Sequence, residues 1–186
     1  DEILWEQAFD DSETFSTPTL GYFDDDYRPD VFAVFLHGVF PEYDRVDRAV
    51  ISGADGSVLW EGSGGTFTMA GDVAIDLDGD DADEVIFSSS DWNVEPSSGH
   101  TLHLFDAKAN TEREWGPPLG APSPSSPWAG DLDADGCLDL VVATHTPAEE
   151  TNEAGIARFR VAARVPKRLS WGGYLGTSFD SIVPKR

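Results

Sequence analysis

The chain has 186 residues, of which 40% are hydrophobic and 11% aromatic, and its formal net charge at pH 7 is −23. These apolar side chains are sufficient to build the core of an ordinary domain, which excludes a disordered acidic polymer. The acidic surface and the lack of an apolar segment of about 20 residues predict that the protein binds no nucleic acid and inserts into no membrane.

The first period of the chain is organised around an acidic segment, residues 22–30, with the sequence YFDDDYRPD (the first loop). It leads directly into the apolar run Val31–Phe35, which is typical of a β-strand. Further along, Arg48–Ser52 and Ser57–Glu61 are predicted strands on either side of the turn Gly53–Gly56. This order predicts a small antiparallel sheet.

The second period repeats the same order around residues 76–84, DLDGDDADE (the second loop). Its apolar and alternating stretches predict four strands, which cover Thr66–Ile75, Glu84–Ser89, Thr101–Phe105 and Thr111–Trp115. No stretch of the chain has a sustained helical apolar period. We therefore predict an all-β fold.

The third period contains residues 131–139, DLDADGCLD (the third loop). The segments Leu140–Ala143, Ile156–Ala162 and Lys167–Trp171 are its predicted strands. A segment rich in proline and serine, residues 116–127, precedes this period. Its phase in the repeat favours a connection between two repeated units over a linker between domains.

Two independent markers share one spacing along the chain. The three loops begin at residues 22, 76 and 131, and these positions are 54 and 55 residues apart. Trp5, Trp60, Trp115 and Trp171 are separated by 55, 55 and 56 residues. A common period predicts an internal structural repeat. One tryptophan per repeat favours packing between neighbouring units, with a carbohydrate-stacking surface as the alternative.

The third loop has the composition of a calcium-binding loop. Carboxylates at loop positions 1, 3, 5 and 9 can direct oxygens at one hard cation, while Gly136 at position 6 supplies the turn. Cys137 at position 7 would contribute its backbone carbonyl rather than its thiol, by analogy with EF-hand loops. An EF-hand, however, closes at position 12 and leads into a helix. The predicted acidic ligands here are Asp131, Asp133, Asp135 and Asp139.

Residues 130–142, 76–86 and 53–60, and more weakly residues 21–31, resemble the FG-GAP or VCBS repeats of integrin-α-type β-propellers. The resemblance covers essentially the whole chain. It implies three four-stranded antiparallel blades, each with a calcium loop between its first two strands. The ligands that it implies in the second loop are Asp76, Asp78, Asp80, the Ala82 carbonyl and Glu84. In the first loop they are Asp24, Asp26, the Arg28 carbonyl and Asp30.

The first two loops depart from the family pattern. In the second loop Asp81 replaces the glycine at position 6, but aspartate tolerates a left-handed conformation, so we expect this site to be retained. In the first loop Tyr22 replaces the acid at position 1 and Tyr27 replaces the glycine. We therefore expect two calcium sites, in the second and third loops, and a weaker or empty third site in the first loop.

The resemblance divides a single repeat domain, residues 1–186, into blades at about 16–61, 66–115 and 126–172. Closed propellers contain about four to eight blades, so three are too few. Residues 1–6 and 173–186 are predicted to belong to adjoining blades or to neighbouring subunits. The expected partners are therefore further blades of a parent chain or other copies of this chain, which would pair by strand exchange.

The sequence contains no nucleophile elbow, phosphate-binding loop or paired-carboxylate catalytic site, so we predict a protein that is not an enzyme. Calcium loops of this solvent-facing kind fill at about 10⁻⁴–10⁻³ M, which predicts an extracellular or cell-surface location. The leading hypothesis is a structural, assembly or adhesion module with an extracellular protein or glycan as a further partner. The alternatives are the scaffold of a secreted polysaccharide lyase or other carbohydrate-active enzyme and an integrin-like ligand-binding domain.

Overall fold

A computed structural model of the protein describes residues 2–40, 42–64, 70–90, 100–116, 119, 125–146, 153–166, 169–173, 177 and 183. These residues form thirteen β-strands in three antiparallel sheets and contain no helix, which confirms the predicted all-β class. The same ranges accordingly hold no helix with the length and apolar character that crossing a membrane requires.

The first sheet is built from five strands of the first period. They are β1 (Ser12–Glu13), β2 (Thr19–Gly21), β3 (Asp30–Val39), β4 (Glu42–Ile51) and β5 (Val58–Ser63). Strands β1 and β2 lie end to end along one edge of the long strand β3 and pair with different parts of it. On the other side of β3, β4 and β5 follow as antiparallel neighbours. The order from β2 to β5 matches the predicted sequence of strands, and β1 is an addition to it.

The second sheet contains the four strands of the second period and one strand from the end of the chain. They are β6 (Val73–Ile75), β7 (Glu84–Ser90), β8 (His100–Asp106), β9 (Thr111–Trp115) and β13 (Leu169–Trp171). The first four are joined in chain order, and β13 pairs with the outer edge of β6. The first predicted strand of this period began at Thr66, but residues 65–69 lie outside the described part of the chain.

The third sheet has three strands in the described part of the chain. They are β10 (Trp128–Gly130), β11 (Cys137–Thr146) and β12 (Glu153–Arg164). The prediction that Lys167–Trp171 forms a fourth strand here is wrong for its described residues, because β13 pairs with β6 of the second sheet. Burial explains the difference, since Trp171 is enclosed in the core between the first and second sheets. Within the described ranges the sheets therefore have five, five and three strands rather than four each.

The second sheet is buried on both faces. Phe87 and Phe105 face the first sheet, where their ring centroids lie 5.7 and 6.2 Å from that of Phe32. Ile86, the neighbour of Phe87 along the strand, faces the other way and packs in a second cluster with Leu140 of the third sheet. Successive side chains on a strand point to opposite faces, so one strand contributes to both cores.

Three of the four regularly spaced tryptophans pack between sheets, as predicted, whereas Trp5 lies against the turn between β4 and β5 of the first sheet. Trp60 of the first sheet packs on Phe105 of the second, with ring centroids 4.1 Å apart. Trp115 contacts the cluster between the second and third sheets, and Trp171 is buried in the other cluster. Trp171 is therefore inaccessible to a ligand, while Trp60 and Trp115 are half-buried.

Candidate metal sites

Each of the three acidic loops joins a short strand to a long antiparallel strand. The first loop lies between β2 and β3, the second between β6 and β7, and the third between β10 and β11. Position 6 has a left-handed backbone in all three, with φ of 62° at Tyr27, 72° at Asp81 and 81° at Gly136. The prediction that Asp81 adopts this conformation is confirmed. Tyr27 adopts it too, although a left-handed backbone costs roughly 1–2 kcal/mol in residues other than glycine.

The closing acid at position 9 makes the same hydrogen bond in each loop. Its carboxylate accepts a hydrogen bond from the backbone N–H at position 2, and all three closing acids are buried. This bond draws the two ends of the loop together and fixes the side chain at its centre. The three bonds are Phe23 to Asp30 (3.0 Å), Leu77 to Glu84 (2.7 Å) and Leu132 to Asp139 (2.9 Å).

Three acids converge in each loop. One carboxylate oxygen from each member of a group lies within 4.8 Å of the corresponding oxygens of the other two members. Oxygens at this spacing could hold a metal ion. The groups are Asp24, Asp26 and Asp30 in the first loop, Asp76, Asp78 and Glu84 in the second, and Asp131, Asp133 and Asp139 in the third.

The predicted ligands at position 5 of the second and third loops are directed elsewhere. Asp80 forms an ion pair with the Nζ of Lys108 at 3.2 Å and accepts a hydrogen bond from the N–H of Ala82. Asp135 forms an ion pair with the Nη2 of Arg160 at 2.5 Å and accepts a hydrogen bond from the N–H of Cys137. Neither Asp80 nor Asp135 belongs to the group of three convergent acids in its loop.

The three carbonyls predicted at position 7 belong to residues in different environments. Ala82 is buried, Cys137 is half-buried with a free thiol, and Arg28 is exposed. A side-chain hydrogen bond with Asp135 and partial burial raise the pKa of the Cys137 thiol. The thiol therefore stays protonated at neutral pH, and the role of the Cys137 carbonyl as a ligand stays a prediction.

The second loop has a strong excess of negative charge. Burial raises the pKa of Glu84 to about 8, and the charges of Asp78 and Asp76 add to this effect. The hydrogen bond from the N–H of Leu77 opposes the shift without cancelling it. A cation placed among these oxygens would favour the charged form of Glu84, because opposite charge lowers the pKa of a carboxyl group.

In the first loop the pKa of the closing acid is also raised, but by less. Burial raises the pKa of Asp30 to about 6, and the neighbouring charges of Asp24 and Asp26 raise it further. Hydrogen bonds from the N–H groups of Gly53 and Phe23 work in the opposite direction. The loop lacks an acid at position 1, and its group uses position 5 in its place.

The third loop already contains positive charge from its own chain. The Nη2 of Arg158 lies 2.7 Å from carboxylate oxygens of both Asp133 and Asp139. The Nη2 of Arg160 lies 3.3 Å from Asp133 and 2.5 Å from Asp135. A hydrogen bond from Arg158 holds the pKa of Asp133 below its usual range. The loop that best matches the calcium pattern in sequence is therefore partly neutralised by two arginines of β12.

The donor set of the third loop nevertheless fits a hard cation. The side chain of Asp139 is fully buried, and its Oδ2 accepts hydrogen bonds from Leu132 and Arg158. Its Oδ1 is buried and has no hydrogen-bond partner in the part of the chain that the structure describes. A buried carboxylate oxygen without a partner is unfavourable, so this oxygen can still accept a hydrogen bond or bind a cation. Donor sets made only of oxygen suit Ca²⁺ or Mg²⁺.

Two features of these sites were not recognised in the sequence. The alternation of Arg158 and Arg160 on β12 places both on one face of the strand, opposite Val141 and Asp139 of β11. The alternation is visible in the sequence and could have predicted that both arginines lie on one face of the strand. Asp83, at position 8 of the second loop, accepts a hydrogen bond from the N–H of Tyr22 in the first loop at 2.7 Å. No sequence spacing indicated that contact between two loops.

Comparison of the chain with protein-family models, with curated proteins and with solved structures finds no match. What the loops can bind therefore has to be argued from their residues.

Proposed function

We propose that this protein is a calcium-binding module of β-propeller-type repeats, extracellular or displayed at the cell surface, with a structural, assembly or adhesion role and no enzymatic activity. One observation carries the proposal. The same loop geometry occurs three times at equivalent places, each time with three acids whose oxygens lie within 4.8 Å of one another. Chance surface acids would not share a left-handed position 6 and the same closing hydrogen bond.

The stacking of the sheets supports propeller-type blades. The first, second and third sheets follow one another face to face in chain order, with one apolar cluster at each junction. Each sheet begins with a short strand, an acidic loop and a long strand. This is the order that the FG-GAP or VCBS resemblance implies for successive blades.

The second loop is the best candidate for calcium. Its three convergent acids make no ion pair with an arginine in the described residues, whereas those of the third loop do. When bound, calcium would supply the positive charge that lets Asp76, Asp78 and Glu84 remain ionised together. The chain's own contribution is to hold these carboxylates in place through the Leu77 hydrogen bond and the left-handed Asp81. The first hairpin of each unit would then become rigid only with a cation present.

Calcium titration by isothermal calorimetry, together with thermal unfolding in calcium and in excess chelator, tests this proposal. We expect binding with a dissociation constant of about 10⁻⁴–10⁻³ M and a higher melting temperature in millimolar calcium, because a ligand that binds only the folded state stabilises it. Asp78→Asn should weaken binding in the second loop by roughly tenfold or more. Asp81→Asn removes the same charge from the same loop outside the acid group, so its effect should be much smaller.

Two results would reject the proposal. One is the absence of any calcium-dependent heat or melting shift at millimolar calcium. The other is an equal loss of binding in Asp78→Asn and Asp81→Asn, which would mean that only the overall charge of the loop matters. The expected weak affinity for calcium supports an extracellular location, since the cytosol does not supply calcium at about 10⁻⁴–10⁻³ M.

A further inference from the structure

The third sheet, as far as the structure describes it, ends in a long strand whose outer edge is open. Strand β12 has twelve residues and pairs with β11. No second neighbour of β12 occurs among the strands of the described ranges. In the first and second sheets the corresponding place is filled by β5 and β9. An open edge presents a row of backbone donors and acceptors that a further strand can pair with.

The chemistry of β12 restricts which strand that can be. It carries Arg158 and Arg160, which are partly neutralised by acids of the third loop, and Arg164, which makes no ion pair in the described residues. The net charge of the whole chain is −23. Two copies of β12 placed edge to edge would bring like charges together, which opposes pairing. Ile156, also on this strand, is 75% exposed, so the edge offers an apolar contact as well. These features favour an acidic strand with bulky apolar side chains.

The beginning of the chain contains such a segment. Ile3–Glu6 has the sequence ILWE. It differs from the VLWE of Val58–Glu61 only at the first position, where isoleucine replaces valine. Those four residues lie in β5, the last strand of the first sheet. The described residues 2–9 form no strand, and Ile3 and Leu4 are 79% and 86% exposed. Glu2 and Glu6 supply negative charge on either side of them.

Trp5 holds this segment on the first sheet of its own chain. Its indole N–H donates a hydrogen bond to the carbonyl of Gly53 at 3.2 Å, and its ring lies against Gly56. The second sheet separates the first sheet from the third, because its two faces pack on one each. The segment therefore cannot reach β12 of its own chain while Trp5 stays in place. A β12 edge from a second copy has no such restriction.

We propose that Ile3–Glu6 of one copy pairs with the open edge of β12 in a second copy and completes the third sheet. This inference rests on the proposed function for the repeat architecture and is independent of calcium. The contact joins two different surfaces, so it is heterologous, and repetition produces a closed ring or an open filament. Pairing by strand addition draws its affinity from main-chain hydrogen bonds and its selectivity from the apolar and charged side chains.

The mass in solution, measured by light scattering over a wide range of protein concentration, tests association. The full chain should exceed its monomer mass of 20.2 kDa as concentration rises. Leu4→Lys places a positive charge opposite the arginines of β12 and should raise the dissociation constant by roughly tenfold to a hundredfold. Val39→Lys is the matched control, because Val39 is an aliphatic residue of β3 that is 68% exposed.

A disulfide test identifies the two surfaces. In a Cys137→Ser background, one chain carries Leu4→Cys and another carries Ile156→Cys, and the two are mixed under mild oxidation. We expect a crosslinked pair with one chain of each kind. The control mixture of Leu4→Cys with Val39→Cys should give markedly less of it. Exchanging Ile156→Cys for Ala154→Cys, two residues along the same edge, allows for a shift in register.

The proposal is overturned if the full chain stays at 20.2 kDa at every concentration. It is equally overturned if Leu4→Lys and Val39→Lys associate alike, or if neither β12 cysteine crosslinks above the control. Calcium titration of the same variants separates this failure from that of the proposed function. A monomer that binds calcium would refute only the strand pairing, whereas an assembly that binds none would refute only the metal sites.

Discussion

Tyr22 and Asp83 are joined by two hydrogen bonds that tie the first acidic loop to the second. The N–H of Tyr22 donates to Oδ2 of Asp83 at 2.7 Å, and the N–H of Asp83 donates to the carbonyl of Tyr22 at 2.8 Å. Both residues are buried. Because these loops belong to the first and second sheets, the pair connects neighbouring sheets at the ends that carry the acid groups.

Replacing Asp83 should therefore destabilise the fold. Asp83→Ala removes the carboxyl acceptor of the buried N–H of Tyr22, which we expect to lower the free energy of unfolding by about 1–3 kcal/mol. Urea denaturation measures the change. Asp25→Ala, at an exposed acid outside the acid groups, is the control. Equal stability of the two variants would show that the Tyr22 contact contributes little.

The arginines of β12 should compete with calcium in the third loop. The guanidinium of Arg158 must leave Asp133 and Asp139 before a cation can take its place. Arg158→Gln should therefore tighten calcium binding there by roughly tenfold, equivalent to about 1.4 kcal/mol. Calorimetry in a background with both Asp26→Asn and Asp78→Asn, which remove one acid from each of the other two groups, isolates the third loop. Arg164→Gln removes the same charge from the same strand, and an equal gain in that variant would contradict a specific role for Arg158.

The backbone of Tyr27 predicts a stabilising substitution. Its φ of 62° lies in the left-handed region, where glycine carries no steric penalty. Tyr27→Gly should raise the free energy of unfolding by roughly 0.5–1 kcal/mol, since relief of the strain exceeds the added flexibility of the unfolded chain. Arg28→Gly, next to it and outside the left-handed region, should be destabilising instead. Thermal unfolding of both variants decides whether backbone conformation controls this position.

Asp72 predicts a pH dependence of stability. Burial raises its pKa to about 8 from an ordinary 3.8, although the positive charge of Arg48 opposes the shift. Between these values the folded protein binds more protons at this site than the unfolded chain, so the stabilising contribution of neutral Asp72 is lost as pH rises towards 8. The surroundings are tightly packed, with Arg48 itself buried against the ring of Phe87 and 3.7 Å from Glu112.

Asp72→Asn should remove that dependence, because an amide does not titrate in this range. Denaturation by urea at several pH values gives the difference in unfolding free energy between the parent chain and the variant. We expect the unfolding free energy of the variant to increase relative to that of the parent chain as pH rises from about 4 to about 8. The acid loops titrate in both proteins and cancel in the comparison. A difference that stays constant with pH would mean that Asp72 does not titrate between these limits.

The repeated pattern of the chain was enough to predict the all-β class, the three loops and all nine acids that converge in them. Strand alternation and loop spacing are local properties, so Glu84–Ser89 and Thr111–Trp115 could be assigned to strands without knowledge of their neighbours. The left-handed conformation at Asp81 followed in the same way, from the position of one residue in a nine-residue loop.

The contacts between distant parts of the chain depended on the tertiary structure. Leu169–Trp171 has the pattern of a last strand of the third unit, yet burial of Trp171 in the core places it on β6 of the second. The register of β11 and β12 brings Arg158 to Asp133 and Asp139, and the stacking of two sheets brings Asp83 to Tyr22. The sequence by itself determined which oxygens each loop can offer, because those residues lie within nine positions of one another. Only the pairing of strands in the folded chain decided which loop receives positive charge from Arg158 and Arg160, because these residues lie about twenty to thirty positions away from the acids that they contact.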